Sequence, residues 1–364
     1  MIKKNNLYAL ILAGGVGSRL WPRSRKKMPK QMQGLTGKRT MIQQTVDRIR
    51  DLIPPENIWV MTNAEYVGLA ADQLPELPLE NIVGEPSPRG TAPAIGLGAQ
   101  YVAQRDPQGI MFALHADHHI PDEEGFRQAM LAAADVAEQG WLVNLGVTPL
   151  RPETGYGYVE LGDTVGTFAQ QSAYQVLRFR EKPDAETAKL YVESGRFLWN
   201  SGIFCWRTDV IQREFETYLP NIQAVLTRIG AGIGTAHASQ TLLSEWDQLE
   251  GETTIDHGIM ERATRVATVP IDVGWNDVGA WDSLAALMPK DGTKNSVTGT
   301  GDILLLDSEN VFVHSEDKFV AMVGVKDLIV VDTGDALLVM SPDKAQKVKQ
   351  IVKFLRQTGR TDLL

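Results

Sequence analysis

Two rhythms alternate along the first 150 residues. Short apolar runs have the length of buried strands: LYALILA at 7–13, NIWVMT at 57–62, NIVGE at 81–85, GIMFALHADHH at 109–119 and WLVNLGV at 141–147. Between them lie stretches of helical period, predicted at 40–53, 65–74, 91–105 and 123–139. The first carries Met41, Thr45, Ile49 and Leu52 on one face, and Thr40 with Gln43 forms a capping box at its start. The helix at 91–105 is entered through Pro93 in its first turn. Apolar strands alternating with helices imply an α/β fold whose parallel sheet is covered on both faces. Ligands of such sheets bind beyond the carboxyl ends of the strands. The polar residues that follow LILA and FAL therefore lie on the expected functional edge.

The pattern then changes twice. Residues 155–279 mix short strands with helices and are rich in Tyr, Trp and Gly; they are expected to extend the same sheet and to build a lid. At 289–295 (PKDGTKN) turn formers take over, followed by five predicted short strands at 303–306, 311–314, 319–324, 328–332 and 336–340. They read as a small all-β domain without a strict hexapeptide period. Ser341 and Pro342 start a closing helix with Ala345, Val348, Val352 and Leu355 on its apolar stripe. The division expected is 1–288 and 289–364.

Composition narrows the classes. Of 364 residues 43% are hydrophobic and 22% charged, a globular mix, and the net charge of -9 argues against a general nucleic-acid binder. A local cationic pocket is still allowed. The single cysteine, Cys205, excludes a disulfide framework and fits a reducing cytoplasm. No apolar run reaches the roughly 18 residues of a membrane span. Lys3 and Lys4 ahead of the 7–13 run resemble the start of a signal peptide. However, Gly14, Gly15, Arg19, Arg23 and Arg25 follow without a small-residue cleavage site, so the run reads as a first strand.

The stretch after that strand holds the candidate chemistry. Gly14, Gly15 and Gly17 would let backbone N–H groups approach an anion, and a helix start behind them would add its dipole. A P-loop and a dinucleotide fingerprint both fail here, the second because Leu20 stands where a third glycine is needed. Arg19, Arg23, Arg25, Lys26, Lys27, Lys30 and Arg39 suit a polyphosphate; the alternative is a solvated basic face.

The segment LAGGVGSRLWPRSRKKMPKQ resembles the signature of sugar-1-phosphate nucleotidyltransferases. Its LWPRSR and PKQ elements are similar to the mannose-1-phosphate guanylyltransferase (GDP-mannose pyrophosphorylase) branch. The resemblance implies a mixed, Rossmann-like (GT-A-like) nucleotidyltransferase sheet with flanking helices and a β-helix-like C-terminal domain. It implies that Gly14, Gly15, Gly17, Ser18 and Arg19 wrap the triphosphate and that Lys30 neutralises the α-phosphate. In GEPSPRGTAPAI it implies that Glu85, Arg89, Gly90, Thr91 and Ala92 line the guanine pocket, with Gly90 where Asn is usual. In LHADHH it makes Asp117 a Mg2+ ligand, with His115 where Pro is usual. His115, Asp117, His118 and His119 could suggest zinc, but no distant Cys/His set accompanies them, and carboxylate oxygens suit Mg2+.

From GYGYVE, FREKP and WNSGIF the resemblance assigns Gly157, Glu181, Lys182 and Asn200 to the sugar and its phosphate, with Ser201 and Gly202 shaping the wall. From VGWNDVGAW it assigns Asp277 as the second Mg2+ ligand, between Gly274 and Gly279; Trp275 and Trp281 read as core. The expected reaction is GTP + α-D-mannose 1-phosphate → GDP-mannose + pyrophosphate, by in-line attack of the sugar phosphate on the α-phosphorus. Lys30, Arg19, Asp117 and Asp277 would serve catalysis, without a covalent intermediate. The resemblance also implies a homodimer, and it implies that this chain, ending at Leu364, lacks the isomerase domain of longer relatives. Rival readings are another sugar 1-phosphate (glucose or a heptose) or base, a non-catalytic nucleotide-sugar sensor, and a dinucleotide-dependent oxidoreductase.

Overall fold

The computed structural model describes residues 6–364; Lys3 and Lys4 lie outside that range. Two compact units share the chain. One comprises the described residues up to Gly14, Thr45–Ala116 and Ile120–Trp275; the other comprises Gly15–Gln44, Asp117–His119 and Asn276–Leu364.

The first unit is built on a nine-stranded sheet: β1 (Leu7–Leu12), β2 (Ile58–Asn63), β3 (Ile82–Glu85), β4 (Ile110–His115), β5 (Leu142–Val147), β6 (Tyr158–Phe168), β7 (Gln171–Arg180), β8 (Phe197–Arg207) and β9 (Val266–Ile271). Its order is β3-β2-β1-β4-β8-β5-β9-β7-β6. The parallel pairing expected from the sequence holds for β3, β2, β1 and β4 and for β5 with β9. It fails at β8, which runs antiparallel to β4 and β5, and at the β6–β7 hairpin, so the sheet is mixed. That hairpin turns through Ala169 and Gln170 at φ 43 and 67, the paired left-handed geometry of a two-residue hairpin. Neither residue is a turn former of the Asn-Gly kind, so the pattern of the chain did not announce it.

Every residue of β1 is buried, as a strand covered on both faces requires. The helices of this unit are the later part of α1 (Met41–Ile49), then α2 (Val67–Gln73), α3 (Thr91–Arg105), α4 (Glu123–Glu138), α5 (Ala185–Ser194), α6 (Thr208–Tyr218), α7 (Pro220–Gly232) and α8 (Ala238–Trp246). Tyr8, Leu10 and Leu12 of β1 share one core with Ile95 and Leu97 of α3, Phe215 of α6 and Leu226 of α7. Burying each such side chain is worth about 1.5–3 kcal/mol. The expected capping box is present: Gln43 Oε1 accepts from Thr40 N at 3.0 Å. The helix it opens ends at Ile49, short of 53, and the strand expected at 109–119 stops at His115. ADHH therefore leaves the sheet.

The second unit holds β10 (Ser296–Gly299), β11 (Ile303–Leu306), β12 (Phe312–Ser315), β13 (Val320–Val323), β14 (Ile329–Asp332) and β15 (Leu337–Met340), with helices α9 (Trp281–Leu287) and α10 (Val348–Gln357). β10, β12 and β14 stack in parallel, and β11 pairs in parallel with β13. The register advances sixteen residues from Ser296 to Phe312 and seventeen from Phe312 to Ile329, the step of a coil rather than of a hexapeptide repeat. Corner residues Asp307, Asn310 and Asp327 take positive φ, which Asp and Asn tolerate. β10 was not expected, because SVTG offers a single apolar residue. The closing helix begins with the turn Pro342–Lys347 before α10.

Residues 15–44 belong to this second unit. Leu20, Trp21, Leu35 and Met41 share a core with Trp281, Phe312, Ile329, Val352 and Leu355. Trp21 Nε1 donates to Leu363 O at 2.7 Å and Trp281 Nε1 donates to Trp21 O at 2.8 Å.

One glycine in the first unit is obligatory. Gly90, ahead of α3, has φ 87 and ψ 177, a region open essentially to glycine alone. A Cβ there would lie 2.4 Å from Thr253 O. Gly90→Asn is therefore expected to lower the unfolding free energy by at least about 2 kcal/mol, from backbone strain of ~1–3 kcal/mol plus the clash. Gly15→Ala, where nothing lies within 4 Å of the added Cβ, is expected to stay within about 0.5 kcal/mol of the parent. Urea unfolding of both variants checks this; equal losses would remove the argument.

Candidate active site

In the second unit, three groups brought from distant positions meet at one ammonium. Lys30 Nζ lies 2.9 Å from Asp117 Oδ2 and 2.6 Å from Asp277 O. The lysine is 3% exposed. An ammonium so buried is tolerated because a carboxylate and a carbonyl receive it. Gly17 allows the approach: its φ is 74, and a Cβ there would come within 2.5 Å of Lys30 Cβ. Asp277 Oδ1 accepts from Gly279 N at 3.0 Å, which fixes the carboxylate over its own turn. Between them Val278 sits at φ 45, an outlier for a β-branched residue, held there by its burial beside Trp281 and Leu284.

The expected helix start behind the glycines is a single turn, Ser18–Leu20, so it adds little dipole. The cationic run divides by role. Arg25 is paired bidentately with Asp335 at 2.6 and 2.7 Å, and Arg23 donates to Gly34 O at 3.2 Å. Arg19 NH1 reaches Gln346 Oε1 at 3.2 Å. Lys26, Lys27 and Arg39 are exposed. The reading of the whole run as phosphate ligands is thus corrected: Arg23 and Arg25 build the loop. His119 and Asn276 exchange main-chain hydrogen bonds at 2.9 Å in both directions, which ties the ADHH turn to the segment of Asp277.

The first unit carries the other candidates. Asn63 Nδ2 donates to Gly14 O at 3.1 Å and so anchors the start of the glycine loop. Glu85 ends β3 and is 6% exposed; burial pushes its carboxyl pKa up to about 8. Arg89 and Gly90 lead into α3 along residues 253–255. Thr253 N donates to Arg89 O, Ala92 N donates to Thr253 O, and Thr91 Oγ1 accepts from Ile255 N. The Gly90 departure from the usual Asn is explained by that contact, since Thr253 O occupies the space a side chain needs.

The remaining candidates surround Asn200. Its backbone N donates to Gly157 O at 2.8 Å, and its side chain links Asn144, Gly202 and Asp256. A Cβ at Gly157 would fall 2.1 Å from Glu181 Oε1, so a side chain there would displace the Glu181 carboxylate. Lys182, at φ 46, pairs with Glu181 at 3.2 Å. Ser201 Oγ donates to Leu145 O at 2.6 Å. His115 Nε2 would meet a Cβ at Gly202 at 2.9 Å, which shows the two packed together. Tyr156 lies edge-on to Trp199 at 5.2 Å and to Trp275 at 5.3 Å. Cys205 is buried in β8, and burial raises its thiol pKa well above the usual value, which removes it as a nucleophile.

Sequence reasoning missed Asp256, Thr253, Asn144 and Tyr156. Asp256 opens a π-helical turn, Asp256–Met260, and burial raises its carboxyl pKa, with the nearby Glu181 charge adding to the effect. Nothing in TIDHG marks it as a site residue. Only its place in the fold does.

Comparison with known proteins identifies the family. The Nucleotidyl transferase family matches residues 8–294, and the MannoseP isomerase/GMP-like beta-helix domain matches residues 301–355. Mannose-1-phosphate guanylyltransferase of Escherichia coli is 39% identical over 98% of this chain and 75% of its own length. The protein of the same name from Klebsiella pneumoniae is 38% identical over the same shares. A crystal structure from Thermus thermophilus, titled mannose-1-phosphate geranyltransferase, superposes with a TM-score of 0.87 at 33% identity, covering 96% of this chain and 99% of that one. The chain therefore belongs to the nucleotidyl transferase family, with a MannoseP isomerase/GMP-like β-helix domain at its C-terminal end.

Proposed function

We propose that this enzyme transfers GMP from GTP to α-D-mannose 1-phosphate, forming GDP-mannose and releasing pyrophosphate. The observation that carries the reading is the buried Lys30 ammonium paired with the half-buried Asp117 carboxylate, in a chain 39% identical to a mannose-1-phosphate guanylyltransferase. A non-catalytic sensor would be expected to lose its lysine or its acidic residues, and here Lys30, Asp117 and Asp277 all stand. A phosphate oxygen of the sugar phosphate attacks the α-phosphorus in line. The bond to the bridging oxygen of the β-phosphate breaks, and pyrophosphate leaves with that electron pair. Lys30 supplies fixed positive charge where negative charge develops, and Arg19 shares this role once turned from Gln346. Gly14, Gly15, Gly17 and Ser18 present backbone donors to the triphosphate.

Glu85, with Arg89, Gly90, Thr91 and Ala92, reads the base: a carboxylate accepts from guanine N1–H and the 2-amino group, which adenine cannot match. Gly157, Glu181 and Asn200 receive the sugar, and Lys182 its phosphate. Asp117 and Asp277 are the residues that would hold Mg2+. The Asp117 carboxylate and the Asp277 main-chain oxygen already receive the Lys30 ammonium, and carboxylate oxygens suit a hard cation. Bound there, Mg2+ would neutralise phosphate charge.

Along the chain, the proposed domain division is 1–288 and 289–364, in keeping with the family matches at 8–294 and 301–355, although the compact units interleave these segments. A homodimer is proposed as well. Leu304, Leu306, Ala321 and Val323 form an exposed apolar face on β11 and β13, the kind of patch a second copy covers. A cytoplasmic location is proposed from the single buried cysteine; among the described residues, no helix is long and apolar enough to cross a membrane.

Three measurements test this reading. Pyrophosphate release should be strong for GTP with mannose 1-phosphate, weak for ATP, UTP or dTTP and for glucose or heptose phosphates, and abolished by EDTA. Lys30→Met should keep its fold by circular dichroism and lose roughly 100- to 1,000-fold in kcat; near-parent turnover would remove Lys30 from catalysis. The third concerns protons. The raised Glu85 pKa means that the free enzyme holds this carboxyl mostly neutral at pH 7. Its neutral form favours folding below the unfolded pKa, and that stability is lost as pH rises towards about 8. Reading guanine as a carboxylate then requires the proton to leave. GTP affinity should rise between pH 6 and pH 8, by up to about tenfold per unit, with proton release seen by calorimetry in two buffers. Glu85→Gln should flatten both; an unchanged profile would take Glu85 out of base recognition.

A further inference from the structure

The hydrogen bonds around Asn200 leave one pair of groups with unused capacity. Gly202 N donates to Asn200 Oδ1 at 3.0 Å, and a backbone N–H can only donate, so the amide oxygen must be the atom at that position. Asn144 Nδ2 donates to the same oxygen at 3.0 Å, which fills it. The amide nitrogen is thereby turned to Asp256, where it donates to Oδ1 at 2.6 Å. Asn200 thus keeps one unused N–H and no acceptor. Among the described residues, Asp256 Oδ2 receives no side-chain hydrogen bond. The carboxylate is also desolvated and faces the negative charge of Glu181 and the imidazole of His115. A carboxylate in such surroundings needs a further donor. Asp209, by contrast, answers its own charge with Arg207 and Arg213.

We propose that Asp256 is a substrate-contacting residue that selects the sugar: its Oδ2 accepts a hydrogen bond from one ring hydroxyl, while the remaining Asn200 N–H donates to that hydroxyl or to its neighbour. The pair reads a hydroxyl as both donor and acceptor, which suits a vicinal diol. Gly157 and the Glu181 carboxylate flank the same place. The π-helical turn Asp256–Met260 is what sets the carboxylate there: Glu261 N donates to Asp256 O at 2.9 Å, one residue beyond an α-helical bond. This inference rests on the sugar 1-phosphate reading above and names a further determinant of it.

The test uses the full chain with GTP and the 2-, 3-, 4- and 6-deoxy and deoxyfluoro forms of mannose 1-phosphate. One deoxy analogue should lose about 10- to 100-fold in kcat/KM, the range for a hydrogen bond to a charged group. Its fluoro counterpart should lose as much, because fluorine can accept but cannot donate to a carboxylate. This arm needs only the parent protein. Asp256→Asn should lose a similar factor with mannose 1-phosphate, keep its KM for GTP within about twofold, and lose nothing further on that one analogue. Additive losses on all four deoxy analogues, or a fluoro form that restores activity at every position, would overturn the proposal. No pyrophosphate release by the parent protein with GTP and mannose 1-phosphate would instead overturn the reaction assignment itself.

Discussion

One buried cation, Lys30, constrains the second compact unit of this molecule. Lys30 is 3% exposed, and an ammonium taken from water costs several kcal/mol unless its partners replace the lost hydration. Among the described residues, two groups are near enough to do so, the Asp117 carboxylate and the Asp277 carbonyl. Their positions are therefore dictated by the lysine, although 87 and 247 residues separate them from it. The consequences spread outward. Gly17 must lack a side chain because Lys30 passes through its Cβ position. Val278 must accept a left-handed backbone so that the Asp277 carbonyl turns inward, and the apolar core around Trp281 holds it there. The ammonium is thus held by groups already in place, the kind of fixed charge that can stabilise an anion without reorganisation.

The chain passes between the two compact units at five peptide bonds, and four of them fall inside the recognised motifs. They are Gly14–Gly15 in the glycine loop, Ala116–Asp117 and His119–Ile120 around the ADHH turn, and Trp275–Asn276 in GWND. The fifth, between Gln44 and Thr45, lies within α1. Motif residues gather where the chain leaves a strand end, because strand ends alone can deliver side chains from a rigid sheet to irregular loops. β1, β4 and β9 each end just before such a passage. The second unit is consequently not a tail added to a finished domain. It contains the glycine-loop lysine, the ADHH aspartate and the C-terminal coil in one body.

How much of this could be read from the chain depends on the range of the forces involved. Strands β1 to β5 and helices α3 and α4 were legible, because their periodicities record burial on one or both faces. The β6–β7 hairpin and the reversed β8 were not, since pairing direction is a long-range choice that an apolar run does not encode. Lys30, Asp117 and Asp277 were found through motif resemblance, yet their convergence could not be computed from spacing. Asp256 escaped altogether. Its neighbours in sequence are ordinary, and it matters only because the π-helical turn sets it beside Asn200. The meaning of Gly90 likewise depended on Thr253, a residue 163 positions away that no local pattern connects to it.

The cationic run is the most instructive misreading, because its physical cause is general. Residues 15–40 form almost no regular ladder, so their carbonyls must find donors elsewhere or stay unsatisfied against the β-coil. Side chains supply them. Arg23 caps Gly34 O, Arg25 Nε caps Pro22 O, and Gln33 Nε2 caps both Arg23 O and Met28 O. Ser24 Oγ caps Val16 O, and Gln44 Nε2 caps Arg39 O. A guanidinium with five donors is well suited to this work, and Arg25 adds the Asp335 carboxylate across the coil. Arginines in a glycine-rich basic loop thus answer two demands that look identical in sequence: holding an anion and holding the loop. The two cations differ in their own burial and in what holds them: Arg25 is bound on both sides of the coil by Pro22 O and the Asp335 carboxylate, whereas the more deeply buried Lys30 ammonium is held by the Asp117 carboxylate and the Asp277 carbonyl.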